Sequence, residues 1–445
     1  HALADMLRNM TIFIDPEELI VGNHGSRARA ALMYPEFGTF DKKELDLMPV
    51  RKVDTLQISE EDKEYLLKEI YPYWENRCTG DISRYYIDES IMKVLDSPYR
   101  VFNPLSRTRS GYGHYLPNIE KILQSGFRGI EQEAKEALIN LDLLEQDLIE
   151  RRNFYQGVLI ICDAVKEYQH RFEQLALDMA QKEENQRRKE ELLLIARNCS
   201  HVPYEPAQNF YEALQSYWFT ILIDYCGQNG SAISGGRVDQ MFYPYYKKDM
   251  DEGVMVKEEA QELLEALWVK QSDVIKAGTY SSAKNNGGFA TTINFVLGGV
   301  DENGENAVND LTYLCLEAEK NVFNSEPNTS IRISSKNPDA FMKRVIEILV
   351  EKEGGKLPFF NDDIIIDALQ DDGASLEDAR NYAIVGCVEP TPYGNTMGRT
   401  NSCYFNLAKC LELALFDGVF QMSGEQMGPH TGKFEEFTDF EQVKS

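Results

Sequence analysis

The sequence lacks the features that mark several large classes of protein. Its 445 residues contain 46 lysines and arginines against 73 aspartates and glutamates, which gives a formal net charge of −27. This deficit of positive charge argues against nucleic acid or an anionic membrane as a partner, because phosphates would be repelled. No apolar run approaches the roughly 18 residues that a membrane span needs, and no signal-peptide pattern opens the chain. We therefore expect neither nucleic acid nor a membrane as a partner.

Cysteines and histidines are too few and too scattered to suggest a metal centre. The eight cysteines form no Cys-x-x-Cys pair, and only six histidines occur. Zinc and iron–sulfur sites need closely spaced thiolate or imidazole ligands, so we expect no metal and no bound cofactor. Scattered cysteines are typical of reduced thiols in a cytosolic protein.

The hydrophobic pattern predicts helices first and strands later. Between residues 118 and 198 apolar residues recur every three or four positions, which predicts long amphipathic helices. Short runs bounded by glycine, proline or asparagine then predict strands, and these runs are TTINFVLGGVD, NTSIRISS, PFFNDDIIIDAL and NYAIVGC. Helical segments lie between them, so the sequence predicts an α/β core with parallel strands.

One stretch, YAIVGCVEPTPYGNTMGR, places a thiol beside a carboxylate in a loop rich in glycine and proline. Cys387 and Glu389 are two residues apart, and such residues share one side of an extended loop. The plainest interpretation is a buried cysteine in a turn beside a surface acid. A thiolate nucleophile is disfavoured, since a neighbouring carboxylate opposes the thiolate form. A neutral thiol that transfers a hydrogen atom, beside an acid–base carboxylate, also fits the pair.

Further candidate residues lie in turn-like segments. His114 lies in SGYGHYLPN, where a purely structural role is the alternative. NGSAISGGRVDQ contains Ser231, and also Arg237 and Asp239, which we interpret as a structural pair.

Two other segments contain polar residues that could face a substrate. Arg107 and Arg109 could meet a substrate carboxylate or a buried acid. TNSCYFNL predicts the start of a helix capped by Thr400 or Asn401. Thr400 and Tyr404 would then lie on one helix face and look into one cavity.

VGCVEP resembles the cysteine loop of glycyl radical enzymes, the pyruvate formate-lyase-like family. An ordered series of segments supports the resemblance over nearly the whole chain: ELIVGN, YPEFG, GHYLPNIEKIL, FYEALQSYW, GRVDQMFYPYYKKD, FVLGGVD, SIRIS and PFFNDDIII. The resemblance implies a ten-stranded barrel of two parallel half-sheets with the cysteine loop inside and helices outside. It also implies a homodimer in an anaerobic cytoplasm, and a radical S-adenosylmethionine activating enzyme that installs a glycine radical.

The resemblance also assigns roles within the site. Cys387 would be the thiyl that abstracts hydrogen, and Glu389 the acid–base residue of the dehydratase and eliminase branch. Because Gly386 stands where pyruvate formate-lyase has a second cysteine, formate-lyase chemistry is not expected. His114 would contact substrate, as a histidine does in the dehydratases.

The other expected substrate-binding residues match the family less closely. Thr400 and Tyr404 match in spacing two active-site positions of choline trimethylamine-lyase. Ser231 begins a Ser-Ala pair where the glycerol and propanediol dehydratases have His-Ser, and Asn401 stands where they have an aspartate. A simple diol substrate is therefore not expected.

The family's glycine-radical loop, which reads like Arg-Val-x-Gly-Tyr, does not occur in this sequence. We expect residues 1–445 to be the N-terminal and central part of the catalytic domain, without its C-terminal glycine-radical domain. The prediction is a lyase that eliminates a C–O, C–N or C–S leaving group from a small polar substrate. An aryl-acetate decarboxylase and an inert binding subunit remain alternatives, and a cysteine hydrolase is the weakest.

Overall fold

A computed structural model gives the fold and describes residues 1–89, 91–92, 101–103, 111, 113–142, 144, 146–285, 291–353, 355–396, 404–422 and 424–444. The chain divides into two compact units. The first comprises His1–Met33, Lys43–Ser59 and Tyr112–Gly398, and the second comprises Tyr34–Lys42, Glu60–Gly111 and Arg399–Ser445. Within the ranges described, no helix has both the length and the apolar character to span a membrane.

Helices make up most of the described chain. They are Ala2–Asn9, Lys42–Leu47, Glu60–Tyr65, Tyr71–Trp74, Thr79–Ile82, Ile119–Ile139, Leu148–Lys182, Gln186–His201, Phe210–Gly227, Val238–Met241, Tyr243–Asp251, Lys257–Lys270, Tyr280–Asn285, Asp310–Val322, Asp339–Glu351, Asp362–Asp371, Leu376–Arg380, Leu407–Leu415 and Phe440–Lys444, with a π-helical turn at Leu66–Ile70. The long helices predicted between residues 118 and 198 are confirmed. Every residue from Phe210 to Ile223 is buried, so this helix lies at the centre of the first unit's core.

Nine short strands are described. They are β1 (Phe102–Asn103), β2 (Asn294–Gly298), β3 (Asn328–Ile333), β4 (Phe359–Asn361), β5 (Tyr382–Val385), β6 (Glu389–Pro392), β7 (Tyr404–Phe405), β8 (Val419–Phe420) and β9 (Glu425–Gln426). In the first unit, β2, β3 and β4 form a parallel sheet in that order. Single parallel bridges join Phe295 to Gly236 and Ile233 to Tyr115. The predicted α/β fold with parallel strands is confirmed, and closure into a ten-stranded barrel stays a prediction.

Two strands of the first unit differ from their predicted form. Strand β4 stops at Asn361, because the Asn361 side chain accepts a hydrogen bond from the backbone N–H of Asp363 and so caps a helix. The segment DDIIIDAL is therefore helical and not extended. Strand β5 does not join the parallel sheet but pairs antiparallel with β6.

The second unit corrects the helix predicted over TNSCYFNL. Tyr404 and Phe405 form strand β7, which pairs antiparallel with β1. The helix begins later, at Leu407, and the side chain of Asn406 caps it. Adjacent aromatic residues suit a strand better than a first helical turn, so Tyr404 does not lie on a helix face. Strands β8 and β9 form a separate antiparallel pair.

One buried ion pair connects the parallel sheet to strand β5. Arg332 donates from Nε and Nη2 to the two carboxylate oxygens of Asp362, both at 2.8 Å, and both side chains are fully buried. Arg332 Nη1 donates to the Tyr382 carbonyl oxygen, and the Tyr382 hydroxyl donates to Asp362. The backbone N–H of Val300 also donates to Asp362. The Arg332 guanidinium group and its carboxylate partner therefore connect segments that no strand-to-strand hydrogen bonds join.

Arg237 and Asp239 hold the end of β2 from two directions. Arg237 Nη2 donates to the carbonyl oxygens of Gly298 and Val300, at 3.2 and 2.7 Å. Asp239 accepts from the backbone N–H of Gly298 at 2.8 Å and from the Thr312 hydroxyl at 2.7 Å. Both residues are structural, and they act through the backbone of β2 rather than through an ion pair with each other.

Replacing Arg332 with methionine should destabilise the first unit, because it leaves the buried Asp362 carboxylate without its counter-charge. Loss of one partner from a buried pair costs about 3–5 kcal/mol. The control is Arg187→Met, at a side chain that is 78% exposed, where we expect a change below about 0.5 kcal/mol. Urea unfolding followed by circular dichroism measures both, and equal losses would contradict the role of Arg332.

Candidate active site

Cys387 lies at the tip of the hairpin formed by β5 and β6. The strands pair Val385 with Glu389, so residues 386–388 form the turn. Gly386 opens this turn with φ at +61°, in the left-handed region that favours glycine. Cys387 is exposed and is not in a disulfide. The resemblance implies a loop enclosed by a barrel, whereas the described residues leave this tip exposed.

The Glu389 carboxylate folds back over the turn, where His114 approaches it. Glu389 Oε2 accepts from the backbone N–H of Val388 at 3.0 Å, and Glu389 Oε1 lies 3.8 Å from His114 Nε2. This separation is too long for a direct hydrogen bond, and one oxygen atom between the two groups could contact both. The side chains are 7% exposed for His114 and 26% for Glu389. The His114 side chain is therefore shielded from solvent, whereas the Glu389 side chain is partly accessible.

Gly386 provides the space that this arrangement needs. A Cβ atom at Gly386 would lie 2.8 Å from Glu389 Oε2 and 3.3 Å from His114 Cδ2. Either the carboxylate or the imidazole would have to move. The glycine of VGCVEP therefore suits the backbone angle of the turn and leaves room for the Glu389 carboxylate.

His114 and Ser231, which come from different motifs, lie side by side. The φ angle of His114 is +58°, a conformation that is uncommon for residues other than glycine. Its backbone N–H donates to the Ser231 carbonyl oxygen at 2.8 Å. A Cβ atom on Gly113 would collide with that same oxygen, so the two segments touch through their main chains. The next residue, Tyr115, forms the parallel bridge with Ile233.

The side chain of Ser231 contacts a buried lysine that sequence reasoning missed. Lys276 Nζ donates to Ser231 Oγ at 2.9 Å and to the Asn229 carbonyl oxygen at 2.7 Å, and the residue is 5% exposed. Burial, with a smaller contribution from the charge of Lys276, lowers the pKa of His24 to about 4. A single lysine after an apolar run offers no sequence signal for such a position.

Asn294 holds the hairpin turn from the side of the parallel sheet. Its Nδ2 donates to the Gly386 carbonyl oxygen at 3.1 Å, and the residue is fully buried. Its backbone N–H donates to Ser234 Oγ, and its carbonyl oxygen accepts from the N–H of Gly235. Sequence reasoning missed Asn294 as well. The available signal was one amide in an otherwise apolar strand, where burial demands a hydrogen-bond partner.

The other predicted site residues lie outside the described part of the first unit, to which the hairpin belongs. Thr400 and Asn401, like Arg107 and Arg109, lie outside the described residues. Tyr404 lies in strand β7 of the second unit. The structure thus brings together four of the predicted residues, the two of the hairpin and the two of the segments beside it. Within the described ranges, no cluster of His, Cys, Asp and Glu side chains could hold a metal ion.

Comparisons with known proteins cover the whole chain. The family model described as pyruvate formate lyase-like matches residues 1–445. Isethionate sulfite-lyase from Oleidesulfovibrio alaskensis is 34% identical over 99% of this chain and 54% of its own length. (2S)-3-sulfopropanediol dehydratase from Klebsiella oxytoca is 32% identical over 100% of this chain and 54% of its own length.

A solved structure supports the same grouping. The glycerol-bound B12-independent glycerol dehydratase from Clostridium butyricum is 37% identical, with a TM-score of 0.90, over 99% of this chain and 55% of that one. The chain spans about half the length of the curated relatives that it matches.

Replacing Gly386 with alanine should displace the Glu389 carboxylate, because the new Cβ atom would lie 2.8 Å from Glu389 Oε2. Gly253 is a matched control, because its φ is +67° and a Cβ there would meet nothing within 4 Å. We expect each variant to cost about 1–2 kcal/mol from backbone strain, because the Glu389 carboxylate can turn away from the new Cβ atom at residue 386. Urea unfolding measures the difference. A loss in Gly386→Ala that exceeds the loss in Gly253→Ala by more than about 1 kcal/mol would show that the neighbouring side chains cannot move aside.

Glu326 should make the first unit less stable as the pH rises. Its carboxylate accepts from the backbone N–H groups of Thr292 and Ile293, directly before Asn294, and burial raises its pKa to about 7. Between the ordinary value of 4.5 and 7, the folded protein holds a proton that the unfolded chain has released. The stabilisation is therefore complete below pH 4.5 and is lost as the pH rises through 7.

The Glu326→Gln variant tests this pH dependence, because its amide does not titrate and its one oxygen can still accept from one of the two backbone N–H groups. From pH 5 to pH 8, wild type should lose about 2–3 kcal/mol relative to this variant. Urea unfolding at several pH values gives the two curves. If the free energies of unfolding of wild type and variant change in parallel with pH, Glu326 does not cause the pH dependence.

Proposed function

This chain belongs to the pyruvate formate lyase-like family, and from that premise we propose that it carries the cysteine site of a glycyl radical lyase. One observation carries the proposal: a single hairpin turn presents the Cys387 thiol, while Glu389 lies over the same turn next to His114. Relatives that match nearly the whole chain are named as a sulfite-lyase and as dehydratases. The reaction we propose is elimination of a C–O, C–N or C–S leaving group from a small polar substrate.

In the proposed reaction Cys387 transfers a hydrogen atom and Glu389 transfers a proton. The thiyl form of Cys387 takes a hydrogen atom from the substrate carbon that bears a hydroxyl group, and Glu389 takes the hydroxyl proton. The resulting ketyl radical anion expels the leaving group with its bonding electron pair from the neighbouring carbon. Glu389 gives its proton to that group, and the Cys387 thiol returns the hydrogen atom to the carbon radical. The products are a carbonyl compound and the protonated leaving group, and both side chains are restored.

The residues around the hairpin orient this reaction. His114 Nε2, at 3.8 Å from Glu389, is suited to contact the substrate oxygen that Glu389 deprotonates. Ser231 fixes the backbone of His114, and Lys276 fixes Ser231. The assignment of Thr400, Asn401 and Tyr404 to the substrate pocket remains a prediction.

The proposed reaction needs a source for the unpaired electron on Cys387. We propose a glycine radical that a radical S-adenosylmethionine enzyme installs, in a homodimer that works in an anaerobic cytoplasm. A sulfur atom that exchanges hydrogen with a glycine outside this sequence has to be reachable, and Cys387 is exposed in this chain. In this proposal residues 1–445 are the N-terminal and central part of the catalytic domain.

The alternatives rest on fewer observations. An aryl-acetate decarboxylase would need Arg107 or Arg109 against a carboxylate, and both residues lie outside the described ranges. An inert binding subunit would gain nothing from the close fit of Gly386, Glu389 and His114.

Replacing Cys387 with serine should abolish turnover of the activated enzyme, because a hydroxyl group does not take over hydrogen-atom transfer. Cys410→Ser, at a half-buried thiol outside the hairpin, is the control and should keep wild-type activity. The assay follows carbonyl formation from isethionate, (2S)-3-sulfopropanediol and glycerol. Release of sulfite identifies C–S cleavage, and a carbonyl product that forms without sulfite identifies C–O cleavage. Turnover by Cys387→Ser above background would end this mechanism.

The Glu389→Gln variant should lose about 100-fold or more in kcat, because an amide cannot accept the hydroxyl proton. Its glycine-radical signal in electron paramagnetic resonance should equal that of wild type, since Glu389 acts only on the substrate. A normal rate, or a lost radical signal, would contradict the acid–base role.

A further inference from the structure

A cavity lies in the first unit, and no residue of the cysteine hairpin lines it. Its volume is about 540 Å³, which suits a small molecule. The polar residues of its lining are Glu120, Gln124, Gln208, Gln240, Tyr245 and Lys248. Most of these come from GHYLPNIEKIL and GRVDQMFYPYYKKD, two motifs whose cavity-lining residues have no part in the proposed reaction.

Glu120 is the only carboxylate in this lining. It lies in the first turn of the helix Ile119–Ile139, and within the described residues its side chain forms neither a hydrogen bond nor an ion pair. Burial raises the pKa of Glu120, and the charge of Arg237 only partly offsets this effect. A half-buried carboxylate without hydrogen-bond donors favours a partner that brings positive charge and N–H groups.

Two other polar groups of the cavity, one of them its lysine, are already engaged elsewhere. Lys248 Nζ donates to the Gln208 carbonyl oxygen at 2.9 Å, and Gln240 Nε2 donates to the Ala307 carbonyl oxygen at 2.9 Å. Lys248 is thus directed to the backbone and forms no ion pair with Glu120 in the described structure. Of the two charged groups in this lining, Glu120 is therefore the one without a hydrogen-bond partner in the described structure.

We propose that this cavity binds a small alkylammonium ion, with Glu120 as its counter-charge. The ammonium group brings the charge and the donors for a charge-assisted hydrogen bond, and the ring of Tyr245 offers a cation–π contact. The apolar lining residues Leu123, Met241 and Pro244 provide contacts for a short alkyl chain. This site does not depend on the proposed radical chemistry.

The site is also joined to the cysteine hairpin through hydrogen bonds. The backbone N–H groups of Ile119 and Glu120 donate to the Tyr393 hydroxyl at 3.0 and 3.3 Å. Tyr393 directly follows β6, the strand that begins with Glu389. A cation at Glu120 would therefore sit at the helix end that holds this side of the hairpin.

Isothermal titration calorimetry with butylammonium chloride tests the proposal at constant ionic strength. Two probes with the same chain length, 1-butanol and sodium butyrate, serve as the neutral and the anionic controls. We expect butylammonium to bind at least tenfold more tightly than either control. Equal or tighter binding of 1-butanol or butyrate would overturn the proposal, and so would a lack of any heat with butylammonium.

The Glu120→Gln variant should weaken butylammonium binding at least tenfold, because it removes the counter-charge and keeps the size of the side chain. Glu136→Gln is the matched control, since Glu136 is exposed on the same helix and outside the cavity, and its binding should equal that of wild type. Gln124→Lys gives a second, independent variant. Residue 124 is one helical turn from Glu120, so its ammonium should occupy the carboxylate and also reduce binding tenfold.

Circular dichroism and urea unfolding establish that each variant is folded before titration. Unchanged butylammonium affinity in both Glu120→Gln and Gln124→Lys would show that the carboxylate does not bind the cation. An equal loss in Glu136→Gln would show that overall charge, rather than this cavity, controls the binding. Either result overturns the proposal.

Discussion

The position of the cysteine hairpin depends on the buried pair of Arg332 and Asp362. The hairpin shares no ladder with the parallel sheet, so it needs another attachment. Arg332 supplies one by donating to the Tyr382 carbonyl oxygen, and Asp362 supplies another by accepting from the Tyr382 hydroxyl. Two buried charges are tolerated only when their hydrogen-bonding capacity is used. The same pair also forms hydrogen bonds with the backbone of Arg380 and Val300. The hydrogen-bonding capacity of the two charged groups is therefore used in contacts that connect separate segments.

The turn of the hairpin is held in a second way, which has direct consequences for reactivity. Asn294 binds the Gly386 carbonyl oxygen, and the backbone N–H of Val388 binds the Glu389 carboxylate. The thiol of Cys387 therefore sits on a short exposed turn whose backbone is fixed on both sides. A reactive group on a loop that a rigid scaffold positions combines access with fixed geometry. Hydrogen-atom and proton transfer from adjacent groups both require that combination.

Local sequence was sufficient to predict several features, and their physical basis is local. The helices between residues 118 and 198 follow from side-chain periodicity, and the strands β2 and β3 from short apolar runs between turn residues. Cys387 and Glu389 were identified because two residues in one turn are bound to be neighbours. The end of β4 and the strand at Tyr404 were predicted wrongly, because capping by Asn361 and pairing with β1 outweighed the residue pattern. Asn294 and Lys276 gave no local signal at all.

By itself, the sequence determined the composition, the helical core and a turn that must contain a thiol and a carboxylate. Only the tertiary structure decided that His114 approaches that carboxylate, that Ser231 and Lys276 support His114, and that Asn294 holds the turn. The reason is physical. Periodicity and turn chemistry act between residues a few positions apart, whereas these contacts join segments separated by up to hundreds of residues. Such contacts form only when packing of the core offsets the loss of chain entropy that bringing those segments together requires.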